Sequence, residues 1–435
     1  MEDRKLPRTL VVSINAWRDN TGINTLIDFF KCWDQDELAQ IYTRSALPNT
    51  SVCRNFFQIS ENAVIKSIFK RKTKTGKVVY NQMEESEETQ EAISKEQKRY
   101  SNKKKANGLM NICREFVWTF GKWKTSELLS FIDEFNPEVL FLPIYPTEYM
   151  GKIQKYIVKY TKKPIVAYLA DDNYTYRAVK KSPLSVWHRF LLRKQVRYLV
   201  QNSSKVLVIA PKQKEEYDKI FGIDSLILTK GIDFSQFPFT DKPLNKPIKM
   251  VYTGKLIIGR WKSLAAIADA LEKINTDETK LELHIYTTAE LTKNQKLALN
   301  KNGCEVKGAL TLSQVQQVQE EADILVFVES LEKKYKTAAR LSFSTKITDY
   351  LKHGKCIFAI GDKDIAPIDY FERYDSAITA TSYKEIGLKL QKIAENPTLI
   401  AEYSKKAYAC GKEHHDKEKM NQLLIDTITG VCREE

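Results

Sequence analysis

Runs of four or five apolar, largely β-branched residues, each followed by a polar turn and an amphipathic helical stretch, recur along this chain. The first is Leu10 to Ile14, leading through Asn15 to Gly22 into a segment with Leu26, Phe29, Phe30 and Trp33 at helical spacing. The alternation returns at Val139 to Leu142, Ile165 to Leu169 and Val206 to Ile209. Short apolar strands alternating with helices predict a parallel sheet covered on both faces.

A polar, proline-rich stretch (FTDKPLNKP) follows residue 238 and reads as an interdomain linker. Beyond it a second series begins. Met250 to Tyr252, Leu281 to Tyr286, Val306, Ile324 to Val328, Ile357 to Ile360 and Ala377 to Ile378 read as strands, with helices near 263–274, 313–321, 345–353 and 384–396. At 435 residues the chain exceeds one ordinary core. The expected fold is α/β, with two Rossmann-like, doubly wound parallel-sheet lobes facing a cleft. They divide as 1–240, carrying a charged insertion at 62–107, and 241–410, with 411–435 as a terminal helix. In such sheets ligands bind beyond the carboxyl ends of the strands.

The formal net charge is +14, which favours anionic partners. Neither zinc-ligand spacing nor an aromatic RNP-type strand is present, so nucleic acid is not expected as a partner. Seven scattered cysteines suit a reducing compartment. The N-terminus has no long apolar core before a cleavage site, and 18 consecutive apolar residues occur nowhere, so a cytoplasmic protein is expected. In the insertion, Lys66, Lys70, Arg71, Lys72, Lys74 and Lys77 precede an acidic stretch from Glu84 to Glu91 and a second basic one from Lys95 to Lys105. Leu109, Ile112, Phe116, Phe120 and Trp123 then recur as a helical stripe beside Trp118, Lys122 and Lys124. Two readings stand: a solvated insertion with a core-packing helix, or an anionic membrane surface met through residues 66–124, peripheral on the inner face of the cell membrane.

Met250 to Leu271 (MVYTGKLIIGRWKSLAAIADAL) joins a strand to an alanine-rich helix through a loop with Gly254, Lys255, Arg260 and Lys262. Glycine permits close backbone approach and cations at a helix N-terminus attract anions, so the loop suits a diphosphate; an ordinary connection with exposed lysines is the alternative. Leu341 to Gly361 (LSFSTKITDYLKHGKCIFAIG) reads as a capped helix ending at Gly354, then a buried strand. Asp349 there could bind a ribose diol, or pair with Lys346 at i, i+3. His414 and His415 are adjacent and lack partners at metal-ligand spacing; His188, His284 and His353 stand alone and read as structural.

Over roughly 8–60 and 135–430 the order of these segments resembles the retaining glycosyltransferases of family 4, the group 1 transferases of the GT-B fold. Gly254, Lys255 and Lys262 fall on that family's diphosphate-gripping unit, with Arg260 as a further candidate. Lys230 to Phe237 (KGIDFSQF) resembles its lobe-junction segment, and Gly303 to Ser330 its strand, Gly, helix, Ala-Asp, strand run, through Gly308, Ala322 and Asp323. The family has two glutamates separated by seven residues. Asp349 takes the second position, five before Gly354-Lys355, while the first falls on Leu341, and backbone amides around Ser342 to Thr345 are expected to substitute for it. The arrangement SFSTK, DYL, GK is similar to a divergent branch among bacterial surface-polysaccharide enzymes.

The resemblance further implies that Gly22 approaches the donor phosphate, that Asp171 and Asp172 orient the acceptor, and that the terminal helix crosses back to the first lobe. Asp171-Asp172-Asn173 also has two rival readings: the metal-binding motif of the other main glycosyltransferase fold, or an exposed turn. The implied activity is retaining transfer of a hexose-type sugar from a nucleotide diphosphate sugar to a glycan or polyprenyl-linked acceptor, without metal or cofactor. Lys255, Arg260 and Lys262 would stabilise charge on the leaving phosphate, and Gly22, Gly254, Ser342, Ser344, Thr345, Lys346 and Asp349 would hold the donor. A nucleotide-sugar epimerase and a non-catalytic nucleotide-sugar binder are the alternatives.

Overall fold

The computed structural model describes residues 5–19, 25–81, 93–94, 109–178 and 182–433. Two compact units emerge. One comprises Met1–Ile209, Lys214–Leu228 and Asn421–Glu435, the other Ala210–Gln213 and Thr229–Met420.

The first unit holds an eight-stranded sheet built from β1 (Thr9–Val12), β2 (Leu38–Tyr42), β3 (Asn55–Ile59), β4 (Gly76–Val79), β5 (Val139–Pro143), β6 (Ile165–Leu169), β7 (Lys205–Val208) and β8 (Leu226–Ile227). Their order is β4-β3-β2-β1-β5-β6-β7-β8. Every pairing is parallel except β3 with β4, so the sheet is mixed at one edge, a departure from the all-parallel expectation. β1, β5 and β6 are buried along their whole length, as strands covered on both faces must be.

The expected solvated insertion is structured in its first part. Ser60 caps the helix Glu61–Phe69, accepting from Ala63 N, and β4 follows at residues 76–79. β4 escaped the sequence reading because this edge strand is four residues long and only Val78 and Val79 in it are apolar, set beside a run of lysines. The acidic stretch 84–91 and the basic stretch 95–105 lie outside the described residues. The aromatic stripe expected to form one face divides instead. Trp118 is 1% exposed and stacks on Tyr149, whereas Phe116 and Phe120 are 55% and 65% exposed. Trp118 lies two residues from Phe116, roughly 200° round the helix. Trp123, beyond the helix end at Phe120, is 5% exposed and donates its indole N–H to the carbonyl of Trp118 (2.7 Å).

The second unit holds six strands, all parallel: β9 (Ile248–Thr253), β10 (Leu281–Tyr286), β11 (Cys304–Gly308), β12 (Ile324–Val328), β13 (Cys356–Ile360) and β14 (Ile378–Ala380). Their order is β11-β10-β9-β12-β13-β14. Central β12 and β13 are buried throughout, whereas β10 alternates along LELHIY. Capping boxes open two of the connecting helices, Thr292 with Gln295 and Thr311 with Gln314. No helix among the described residues is long and apolar enough to cross a membrane.

Candidate functional site

In the second unit β9 and β12 are neighbours, although the chain lays down β10 and β11 on one side before crossing to the other. Connections leave such a pair in opposite directions and open a crevice at the strands' carboxyl ends. Gly254 follows β9 and Glu329 follows β12.

Gly254 adopts φ +155°, and a Cβ there would lie 2.0 Å from Nζ of Lys346. Lys346 is the second residue of the helix Thr345–Leu351, whose N-cap is Ser344, and its ammonium donates to the carbonyl of Thr253 (2.8 Å). Burial, reinforced by the nearby Arg260 charge, lowers its pKa to about 8. Thr253 is held from its other side: its hydroxyl accepts from Gln319 Nε2 (2.8 Å), whose Oε1 meets His353 Nε2 (3.2 Å). With Gln319 Oε1 as acceptor, that imidazole nitrogen carries the proton. A hydrogen-bonded chain thus fixes the backbone at the end of β9.

The loop after β9 is bent by design of its residues. Tyr252 donates to the carbonyl of Lys255 (2.9 Å), Ile258 lies at φ +58° and Gly259 at φ +75°. A β-branched residue in the left-handed region is strained, and such strain clusters at ligand-binding loops. Gly259 caps the helix Arg260–Ile274; a Cβ on it would sit 2.6 Å from both Ser330 Oγ and Glu332 Oε2. Arg260, the first helical residue, forks onto Glu329 through Nη2 to Oε1 (2.6 Å) and Nε to Oε2 (3.2 Å). Both line a cavity of about 230 Å³ with Ile258, Ser330, Ser342 and Ser344. It combines a helix N-terminus, a guanidinium and hydroxyls as donors with a carboxylate as acceptor, a set that suits a phosphorylated, polyhydroxylated ligand.

No protein-family model matches the sequence, and no curated protein matches it either. Solved structures do resemble the chain over almost its whole length. HepE from Anabaena in complex with UDP matches with a TM-score of 0.61 at 11% identity, over 97% of this chain and 100% of that one. Sucrose-phosphate synthase from Thermosynechococcus elongatus matches at 0.59 and 10%, over 98% and 100%. The N-terminal domain of Candida albicans trehalose-6-phosphate phosphatase matches at 0.58 and 9%, over 99% and 98%. The likeness is one of fold. This chain has the two-lobe, Rossmann-like α/β architecture.

On that framework the residues singled out in the sequence separate. Arg260, Ser342 and Ser344 reach the cavity wall, Gly254 and Lys346 lie at the end of β9, and Thr345 is the first residue of the helix that Ser344 caps. Lys255 is exposed on the loop. Lys262 turns to Glu332 (2.7 Å) and does not line the cavity. Asp349 pairs with Lys230 (3.0 Å), the lysine of the KGIDF segment, and the i, i+3 pair with Lys346 is not formed because Lys346 is held by Thr253. Leu341 is buried and apolar.

In the first unit Asp172 is 9% exposed. It accepts from Thr175 N (2.8 Å), Tyr174 N (3.3 Å), the Thr175 hydroxyl and the Tyr217 hydroxyl (3.2 Å). Three of these donors converge on Oδ1 and one meets Oδ2, so Asp172 braces a turn, and that turn is buried where an exposed one was considered. Asp171 beside it is exposed. Gly22 lies outside the described residues.

Sequence reasoning missed Glu329 and Ser330. Both stand directly after the fully apolar strand ILVFV, and a polar pair at the carboxyl end of a buried strand was the signal available.

Proposed function

We propose that this chain is a retaining glycosyltransferase, moving a hexose-type sugar from a nucleotide diphosphate sugar to a glycan or polyprenyl-linked glycan on the cytoplasmic side of a membrane, as in surface-polysaccharide synthesis. The observation that carries the reading is the crevice between β9 and β12, where Gly254, Arg260 and Lys346 converge on one backbone turn. Support for the donor comes from HepE, whose solved structures contain UDP, UDP with glucose, and UDP-glucose.

In this reading the donor diphosphate lies against Gly254 and takes the fork of Arg260 in place of Glu329, with Lys346 as a second cation. Asp349, released from Lys230, accepts the ribose diol. Leu341 has no polar atom to offer the sugar, so Glu329 and the backbone near Ser342 take over that contact. The bond from the anomeric carbon to the phosphate oxygen breaks as the acceptor hydroxyl oxygen bonds to the same face, and its proton passes to the departing phosphate. Positioning and charge stabilisation supply the rate, and neither a carboxylate nucleophile nor a metal is required by this scheme.

A thermal-shift panel of UDP, GDP, dTDP and ADP with their sugar conjugates tests it, since a ligand bound to the native state raises the melting temperature. Stabilisation by one base series is expected; no shift with any member would overturn the reading. Activity surviving a chelator is likewise expected, and activity lost with chelator and restored by magnesium or manganese would redirect attention to Asp171 and Asp172.

A further inference from the structure

The helices Glu61–Phe69 and Leu109–Phe120 of the first unit run side by side in the same direction. Arg114 Nη2 bonds Glu61 at 2.5 Å, and the Trp118 indole donates to Glu61 (3.3 Å). A Cβ on Gly121 would touch Val64 Cγ1 at 2.4 Å, and Lys122 N donates to Ser67 Oγ (2.9 Å). The carboxyl ends of both helices therefore emerge together.

What they present there is unusual for a water-facing surface. Phe69 is 86% exposed, Phe116 55% and Phe120 65%, and the last two rings lie 4.4 Å apart by centroid. Lys66, Lys70, Arg71 and Lys72, which flank Phe69 in the chain, Lys122, two residues after Phe120, and Lys77 on β4 are exposed, and none makes an ion pair among the described residues. Elsewhere in the unit cations such as Lys152 and Lys214 are paired with carboxylates at 2.9 Å and 2.7 Å. Clustered exposed aromatics mark a surface that something apolar covers, and uncompensated cations mark an anionic partner. An anionic bilayer meets both needs at once, because rings enter the headgroup boundary while basic side chains meet lipid phosphates.

We propose that this end of the first unit docks on an anionic lipid surface, with Phe69, Phe116 and Phe120 inserted among the headgroups and Lys70, Arg71, Lys72 and Lys122 on their phosphates. The surface owes nothing to the donor site, so either assignment stands without the other.

The test is cosedimentation of the full chain with vesicles of phosphatidylcholine alone and of phosphatidylcholine mixed equally with phosphatidylglycerol, at low and high salt. Binding to the anionic vesicles only, weakening with salt, is expected. The variant Lys70→Glu/Lys72→Glu/Lys122→Glu should lose on the order of a hundredfold in vesicle affinity, from roughly fivefold per cation. Phe69→Ser/Phe116→Ser/Phe120→Ser should lose on the order of a hundredfold while keeping its melting temperature, because the rings are exposed. Equal binding to both vesicle types, no binding to either, or vesicle binding unaffected by the phenylalanine variant would overturn the proposal. So would tighter binding to a single-stranded oligonucleotide that the phenylalanine variant leaves unchanged, which would assign the patch to nucleic acid. A nucleotide thermal shift on the same variants reports the donor site separately.

Discussion

Lys346 is protonated at neutral pH but close to losing its charge, because burial and Arg260 together bring its pKa to about 8. A bound diphosphate would favour the ammonium form and raise that pKa, so binding takes up a proton once the free lysine is neutral. Nucleotide diphosphate affinity should accordingly be level up to about pH 7 and fall between pH 8 and pH 9. Calorimetry at pH 7 and pH 9 checks this, and a pH-independent affinity would remove Lys346 from the site. Lys346→Met should bind roughly tenfold to a hundredfold more weakly and lose the pH dependence. Arg260→Ala is expected to lower kcat by about 10² to 10³, the usual cost of removing one charge-stabilising donor, with a smaller change in KM. An unchanged kcat in steady-state kinetics would exclude it. These assignments were half legible beforehand. A strand, glycine, basic loop and helix announce an anion site by local chemistry alone. Which cation turns inward depends on Glu329 and Glu332, some 70 positions away, and local sequence cannot rank Arg260 above Lys262 without them.

At the scale of elements, Leu109–Phe120 shows how one helix serves two environments. Trp118 fills the space between Tyr149 and Glu61, so Trp118→Ala should destabilise the fold by about 3 to 5 kcal/mol, as large-to-small changes in a core do. Phe116→Ala, on the exposed side, should shift urea denaturation by less than about 0.5 kcal/mol. Similar losses from both would mean the phenylalanine face is packed. The period of the apolar residues identified the helix, but periodicity does not say which of two apolar faces the rest of the chain will cover. The same limit explains β4, whose pairing with β3 supplies backbone hydrogen bonds that its side chains do not advertise.

Across the molecule, two histidines of the second unit, buried His415 and half-buried His353, link stability to acid. His415 is 1% exposed, with Nδ1 on the Thr229 hydroxyl (2.6 Å) and Nε2 on the Tyr370 hydroxyl (2.7 Å). Burial brings its pKa, and that of His353, down to about 3. Unfolded, both would titrate near 6.5, so below that pH the unfolded chain binds protons that the folded unit refuses. Stability should fall as pH drops from about 6.5 toward 3, and His415→Gln should lessen that slope in denaturant titrations at pH 7 and pH 5. Equal slopes would show that His415 does not carry the effect.

The alternation of apolar runs with amphipathic helices determined the α/β class and most strands, because a parallel strand buried on both faces writes its burial into consecutive residues. Glycine and capping residues likewise marked the turn after β9 and the helix at Ser344, since their preferences are local. Only the tertiary structure decided that Asp349 meets Lys230, that Asp172 braces a turn and that Glu329 holds Arg260. The first and last pair charges, and the Tyr217 hydroxyl on Asp172 joins a donor, between segments distant in the chain, and such a partner is set by where the fold brings it.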